Sequence, residues 1–318
     1  MIIGALHASD RKPMIATGAV HLAHLGVIRA EGADASTFLQ GQLTNDVLGQ
    51  PPGVARLAGF CSAKGRLQAS FWVVKRAEHD LLLLCAADLL EATRKRLAMF
   101  VLRARCQLVD ERASMALTGC IGEAALRAAP DLAPWSWHAA PDGSLTLRLP
   151  DAAGVARAVV IRSLGAAASD AAASDAPRLP LATWRWLEVQ SGIPLIEAAT
   201  VDRFVPQMVN LETVGGVDFR KGCYPGQEVV ARSQYRGTIK RRMQLFDAPA
   251  PMAPGDEIFH AADPAQPAGL VVSAAPHPSG GWSALVEVKL AALEGGTLHV
   301  RAPDGPVLER RALPYAID

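Results

Sequence analysis

The stretch that decides the fold is Phe204–Met243, FVPQMVNLETVGGVDFRKGCYPGQEVVARSQYRGTIKRRM. At its centre, Lys221-Gly222-Cys223-Tyr224-Pro225-Gly226-Gln227-Glu228 sets one cysteine between a glycine and a Tyr-Pro-Gly turn. Pro fixes φ at the second position of a type II turn, and Gly accepts the positive φ required at the third. The spacing therefore predicts a cysteine held on a specified backbone. From Arg220 to Arg242 the cations are Arg220, Lys221, Arg232, Arg236, Lys240, Arg241 and Arg242, against the single acid Glu228. That local bias stands out in a chain whose formal net charge is +1. A thiol beside cations gains reactivity where it is exposed; buried in a Gly-rich turn, it is structural.

Outside this stretch the chain bounds its own class. With 318 residues, half of them hydrophobic and a fifth charged, it is globular and long enough for two or three domains. The 27 glycines and 22 prolines predict many turns. The near-neutral balance argues against a dedicated nucleic-acid domain, leaving one local patch for RNA. No apolar run reaches membrane-spanning length. The first residues, MIIGALHASDRKP, lack the pattern of a signal peptide. Five cysteines at irregular spacing fit a reducing compartment, so the expected location is cytoplasmic, without membrane contact.

Along the chain, Val20–Ala30 reads as strand, and Asp34 as the cap of a helix with Ala35, Phe38, Leu39 and Leu43 on its apolar face. Phe60–Val74 reads as a hairpin turning at Ser62–Gly65, with Leu67, Ala69, Phe71 and Val73 sharing one face. Leu81–Ala86 is a strand. Asp88 and Glu91 resemble a capping box for a helix carrying Leu90, Leu97 and Val101. Strands follow near Cys106–Asp110, Ser144–Leu149 and Val155–Ile161, an α+β pattern. Gly165–Pro177 is an Ala- and Ser-Asp-rich linker. Thr183 is placed to cap a helix from Trp184 to Ser191, stopped by Gly192, with the tryptophans as packing anchors. Short strands at Glu257–His260, Ala268–Ala274, Trp282–Val288 and Thr297–Ala302 predict a small barrel or sandwich.

Common catalytic signatures are missing: there is no Gly-x-Gly-x-x-Gly, Walker loop, Gly-x-Ser-x-Gly or His-Glu-x-x-His. Cys61, Cys85, Cys106, Cys120 and Cys223 form no Cys-x-x-Cys pair, and His21 and His24 have no partner in sequence, so no metal site is expected.

Lys221–Arg232 resembles the signature of the YgfZ-type folate-binding proteins, whose wider kin include the glycine cleavage aminomethyltransferase and a mitochondrial iron–sulfur maturation factor. Phe38–Asp46 (FLQGQLTND), Lys64-Gly65-Arg66, Ser191-Gly192-Ile193-Pro194 and Phe204–Met208 match the same family in the same order. The resemblance implies an α+β, three-domain, aminomethyltransferase-like ring around a central cavity. Its expected parts are a discontinuous folate-binding domain (1–50 plus 180–245), an inserted α+β domain (51–165), a linker (166–179) and a C-terminal β-barrel (246–318). It also implies tetrahydrofolate or a one-carbon derivative as cofactor. A pterin edge suits carboxylate and amide partners, here Asn45, Asp46, Gln190, Gln227 and Glu228, and the anionic tail suits Arg66, Arg232 and Arg236. Two departures bear on catalysis. Ala69 and Ser70 stand where the aminomethyltransferases carry a pair of aspartates, and Gln190 stands where they carry a glutamate. Neither Ala nor Ser supplies the carboxylate that assists aminomethyl transfer. The role implied is a tetrahydrofolate-binding accessory protein that supports iron–sulfur enzymes or their assembly, including tRNA-thiolating ones, with Cys223 as the functional thiol. The alternatives are an active folate-dependent one-carbon transferase and a tRNA-binding accessory protein using 220–242.

Overall fold

The computed structural model describes residues 17–164 and 176–317. The expectations for 1–13 and for most of the linker, 166–175, lie outside these residues. The first part of the chain forms β1 (Gly18–His21), β2 (Leu25–Glu31), α1 (Ala35–Gln40), β3 (Arg56–Cys61), β4 (Leu67–Ala77), β5 (Asp80–Ala86), α2 (Leu90–Ala98) and β6 (Gln107–Asp110). Then come β7 (Met115–Ile121), α3 (Glu123–Ala128), β8 (Trp137–Ala139), β9 (Leu145–Ala152), β10 (Val155–Ser163) and α4 (Leu181–Gln190). The last part supplies α5 (Gln227–Tyr235), β11 (Arg241–Ala248), β12 (Glu257–His260), β13 (Gly269–Pro276), β14 (Trp282–Lys289), β15 (Leu298–Val300) and β16 (Glu309–Arg311).

Three antiparallel sheets result, in the orders β3-β4-β5-β2-β6, β1-β7-β10-β9-β8 and β15-β12-β13-β14-β11-β16. The third curls until its edges meet, because the segment leading into β16 bridges back to β15 at His299↔Val307. The first sheet corrects the boundary drawn at 50/51. β2 lies before it, yet pairs along its whole length with β5 and also with β6, so the cut would strip backbone hydrogen bonds from the middle of a sheet. β1 likewise joins β7 of the second sheet. Residues 176–179 are not linker: Ala19 N–H donates to Pro177, and Leu179 N–H donates back to Ala19, along β1.

Local chemistry explains the remaining differences from the sequence reading. Asp34 precedes α1 but does not cap it; its carboxylate accepts from the backbone and guanidinium of Arg105 instead. Asp88 spends its carboxylate on Ala198 N–H, and Glu91 pairs with Arg94 and Lys95, so no capping box forms. α4 begins at Leu181 behind Pro180, a residue suited to a helix entry because it lacks an N–H, and Thr183 lies inside it. β7, α3 and β8 were missing from the sequence reading. In the predicted hairpin the turn forms at Ser62–Gly65, with Gly65 at φ +70°. A bulge between Phe60 and Cys61 then moves Leu67 to the opposite face from Ala69, Phe71 and Val73. This breaks the strict alternation.

One apolar core joins the three sheets through α4, whose Trp184, Trp186, Leu187 and Val189 are all buried. Each tryptophan of this size stabilises by several kcal/mol at roughly 25 cal/mol per Å² of apolar surface removed from water. A second core packs α1 and α2 on the far face of the first sheet, and a third fills the curled sheet.

Candidate functional site

The short helix α1 and the turn after it end in carbonyls that lack intrahelical partners, and a cation satisfies them. Lys221 Nζ donates to Leu43 O at 2.6 Å and to Gln40 O, and stands 5.2 Å from the Tyr224 ring centroid. Burial lowers the Lys221 pKa to about 8, against the opposing pull of Asp46 and Asp218. Two motifs some 180 residues apart are thereby joined. The third arrives through a glycine contact: Gly226, at φ +79°, sits so close to the Ser62–Gly65 turn that a Cβ on it would lie 2.4 Å from Ser62 O. Gln227 N–H closes the predicted turn on Tyr224 O at 3.2 Å. The turn therefore has positive φ where the Pro-Gly pair requires it.

Cys223 projects from this junction as an exposed thiol, whereas Cys61, Cys85, Cys106 and Cys120 are buried. Burial pushes Cys61 and Cys85 up to about 12 and Cys106 and Cys120 up to about 11. A thiol-specific reagent at pH 7.5 is expected to label about one thiol per folded chain rapidly, because the thiolate is the reacting form. In Cys223→Ser that rapid phase disappears; its persistence would mean that another cysteine is accessible.

Asn45 follows the α1 turn and is held firmly. Its Nδ2 donates to Leu57 O at 2.6 Å and to Gly215 O at 2.7 Å, while Oδ1 accepts Asp46 N–H. Thr44 adds a hydroxyl bond to Gly216 O and accepts Gly59 N–H. Asp46 is half-buried 3.6 Å from Arg56. Burial opposes its ionisation, but Gly49 N–H, Gln40, Arg56 and Lys221 together hold its carboxyl below the usual value. These bonds fix the wall of a 480 Å³ cleft lined by Asn45, Arg56, Gly215, Val217, Asp218, Phe219, Arg220 and Tyr235. Phe219 and Tyr235 meet edge to face, with ring centroids 5.8 Å apart.

The other sequence-predicted residues do not line this cleft. Gln227 is half-buried at the start of α5, and Glu228, Arg232 and Arg236 are exposed. Arg66 is exposed, its guanidinium donating to Arg203 O at 2.6 Å. Gln190 is half-buried at the end of α4, apart from the others. Of the seven cations in 220–242, Lys221 is seated as described, Arg241 pairs with Glu287, and Arg242 is buried against Glu212. The basic face is therefore smaller than the stretch suggests.

A second cavity lies among the sheets, lined by Trp72, Trp135, Leu149, Arg157, Glu188, Ser191 and the 193–195 segment. At 20 Å³ it has room for about one water molecule. Glu188 was missed in the sequence reading. Its carboxylate accepts Trp184 Nε1–H at 2.8 Å and meets His24 Nε2 at 2.9 Å. The available signal was an acid four residues after Trp184, on the face a tryptophan was expected to bury. His24 lies in the turn between β1 and β2, so it shares no helical face with His21. Ser70 donates to Pro194 O at 3.2 Å and accepts Ile196 N–H at 3.0 Å, stitching β4 to the 194–196 segment. Among the described residues no group of three or more His, Cys, Asp or Glu side chains is placed to hold a metal ion, and no helix is long and apolar enough to cross a membrane.

No protein-family model matches the chain. Its fold is similar to the crystal structure of glycine cleavage system aminomethyltransferase T from Bartonella henselae, with a TM-score of 0.74 at 19% identity over 94% of this chain and 86% of that one. In sequence it is similar to the tRNA-modifying protein YgfZ of Edwardsiella ictaluri, 32% identical over 92% of this chain and 90% of that protein. It is also similar to the protein of the same name in Photobacterium profundum, 28% identical over 99% and 95%. With an aminomethyltransferase-like fold and this agreement over nearly its whole length, the chain belongs to the YgfZ family.

Proposed function

We propose that the protein is a tetrahydrofolate-binding accessory factor for tRNA modification that works through Cys223. The observation that carries this reading is the junction of three sequence motifs at one exposed thiol, three residues after Arg220 in the wall of a cleft with aromatic and arginine sides. The setting in tRNA modification comes from the curated relatives, which are described as tRNA-modifying proteins.

The cleft fits a reduced folate better than the central cavity does. Its 480 Å³ lies in the usual range for small-molecule sites, whereas 20 Å³ excludes a two-ring pterin. Phe219 offers a flat ring, Asp218 an acceptor for a pterin edge, and Arg220 and Arg56 cations for a carboxylate tail. In this reading Arg66, Arg232 and Arg236 stand outside the ligand's first contacts. Bound folate would supply a one-carbon carrier. The chain's own residues orient it, hold the cleft wall through Asn45 and Thr44, and present the thiol three residues after Arg220. Aminomethyl transfer is left out, because Ala69 and Ser70 supply no carboxylate, and the Ser70 hydroxyl is bonded to Pro194 O and Ile196 N–H. The clients in this reading are iron–sulfur enzymes, among them tRNA-thiolating ones, since one thiol can join a cluster only beside a partner's thiols.

Calorimetric titration with tetrahydrofolate tests the site. Arg220→Ala and Phe219→Ala are each expected to weaken binding about tenfold, the loss of one good contact. Retained affinity in both, with binding lost in Glu188→Gln, would move the ligand to the central cavity. No saturable binding by the folded wild-type protein would end the folate reading.

A further inference from the structure

Most surface arginines of this protein stand against acids: Arg29 with Asp80, Arg94 with Glu91, Arg105 with Asp34, Arg112 with Asp110, and Arg311 with Asp247. The surface around α5 departs from that habit, as do Arg96 on α2 and Arg103 after it. Arg232, Arg236, Lys240, Lys64 and Arg66 are all exposed, and none forms an ion pair among the described residues. Arg232 lies on α5, Tyr235 is its last residue, and Arg236 follows just past its end, where the backbone leaves helical geometry while its N–H still donates to Arg232 O. The turn carrying Lys64 and Arg66 packs on the same helix: a Cβ on Gly65 would lie 2.8 Å from Val229 Cβ. Arg232, Arg236, Lys64 and Arg66 thus lie on or against α5, next to a tyrosine ring 70% exposed in the wall of the cleft.

We propose that this face binds a single-stranded segment of RNA, with phosphates along α5 and one unpaired base stacked on Tyr235. The proposal deepens the reading above: it names the partner of the same face and rests on the tRNA-modification setting. Unpaired cations recruit a polyanion, and an exposed aromatic ring next to them accepts a base only when that base is free of a duplex. Recognition is tolerant of sequence, since the polar wall group best placed to read a base edge, Asn45, already spends both amide hydrogens on Leu57 and Gly215. Sequence choice then belongs to the client enzyme.

The test uses the full chain and a fluorescently labelled oligouridine of about a dozen nucleotides, the length that one such groove engages. Binding is followed by anisotropy across salt concentrations. The wild type is expected to bind at low salt and to weaken steeply as salt rises. Arg232→Glu/Arg236→Glu is expected to lose at least about tenfold in affinity and to reduce the log–log salt slope by about 1.4, two contacts at about 0.7 each for a single strand. Tyr235→Ala is expected to weaken binding about tenfold with the slope unchanged, because stacking releases no counterions. Thermal melts confirm that these surface variants fold. Absence of binding at low salt, equal affinity for a duplex of the same length, or indifference to Tyr235→Ala would each overturn the proposal. A folate titration on the same wild-type preparation separates the two readings: folate binding without RNA binding rejects this inference alone, and RNA binding without folate binding rejects only the folate site.

Discussion

Glu188→Ala is expected to cost about 3–5 kcal/mol of stability, the usual penalty for removing one partner from a buried charged network. The carboxylate receives the Trp184 indole N–H and the His24 ring, and its Oε2 stands 4.0 Å from Arg185 Nε. Arg157, fully buried, would lose the opposing charge that acts on it most strongly; burial already lowers its pKa to about 10, and Glu188 is the group that resists this most. Glu188→Gln should cost much less, because an amide oxygen can still accept the Trp184 bond. Chemical denaturation of the two variants measures both losses, and a loss below about 1 kcal/mol for the alanine variant would show the network to be dispensable. The same residue gives a pH signature. Burial alone would raise the Glu188 carboxyl, yet the charge and hydrogen bond of His24, together with Arg185, hold it below the ordinary glutamate value. A depressed value means that this stabilisation is complete above the unfolded pKa of about 4.3 and is lost as pH falls through the folded one. Acid unfolding of Glu188→Gln should therefore lack that component, and an unchanged curve would count against it.

Gly226→Ala is the second large effect. The added Cβ would lie 2.4 Å from Ser62 O and 2.6 Å from Gly65 N and Cα, all backbone atoms with no rotamer to relieve the contact. The position is also left-handed, at φ +79°, where an L side chain is strained. Together these predict a loss of about 2–4 kcal/mol or a displaced turn. Under the proposed function, because Lys221, Cys223 and Gly226 share one loop, tRNA modification in cells should fall as far as in Cys223→Ala, with the thiol still present. Gly222→Ala is the matched control: nothing lies within 4 Å of its Cβ, and stability should stay within about 0.5 kcal/mol. Equal behaviour of the two variants would show that the close approach at Gly226 does not hold the turn.

Much of this protein was legible in local chemistry. The turn at Tyr224–Gln227 follows from Pro225 and Gly226, the hairpin from its alternation and the Gly65 turn, and the curled terminal sheet from regular Gly/Pro punctuation between short apolar runs. Those features depend on φ preferences and on periodicity, which a chain carries at each position. Family membership was also readable, from motifs spread over most of the length. What the tertiary structure decided were properties that require two distant segments to meet. Asp34 and Asp88 look like caps in sequence, but Arg105 and the Ala198 N–H compete for their carboxylates more successfully. Lys221 looks like one cation among seven until the carbonyls of Gln40 and Leu43 bury it, while Arg241 and Arg242 turn inward to acids. Glu188 shows a buried position but no partner in sequence until His24, more than 160 residues away, closes on it. Pairing, burial and cleft shape depend on which surfaces exclude water together, and no single stretch of sequence holds that information.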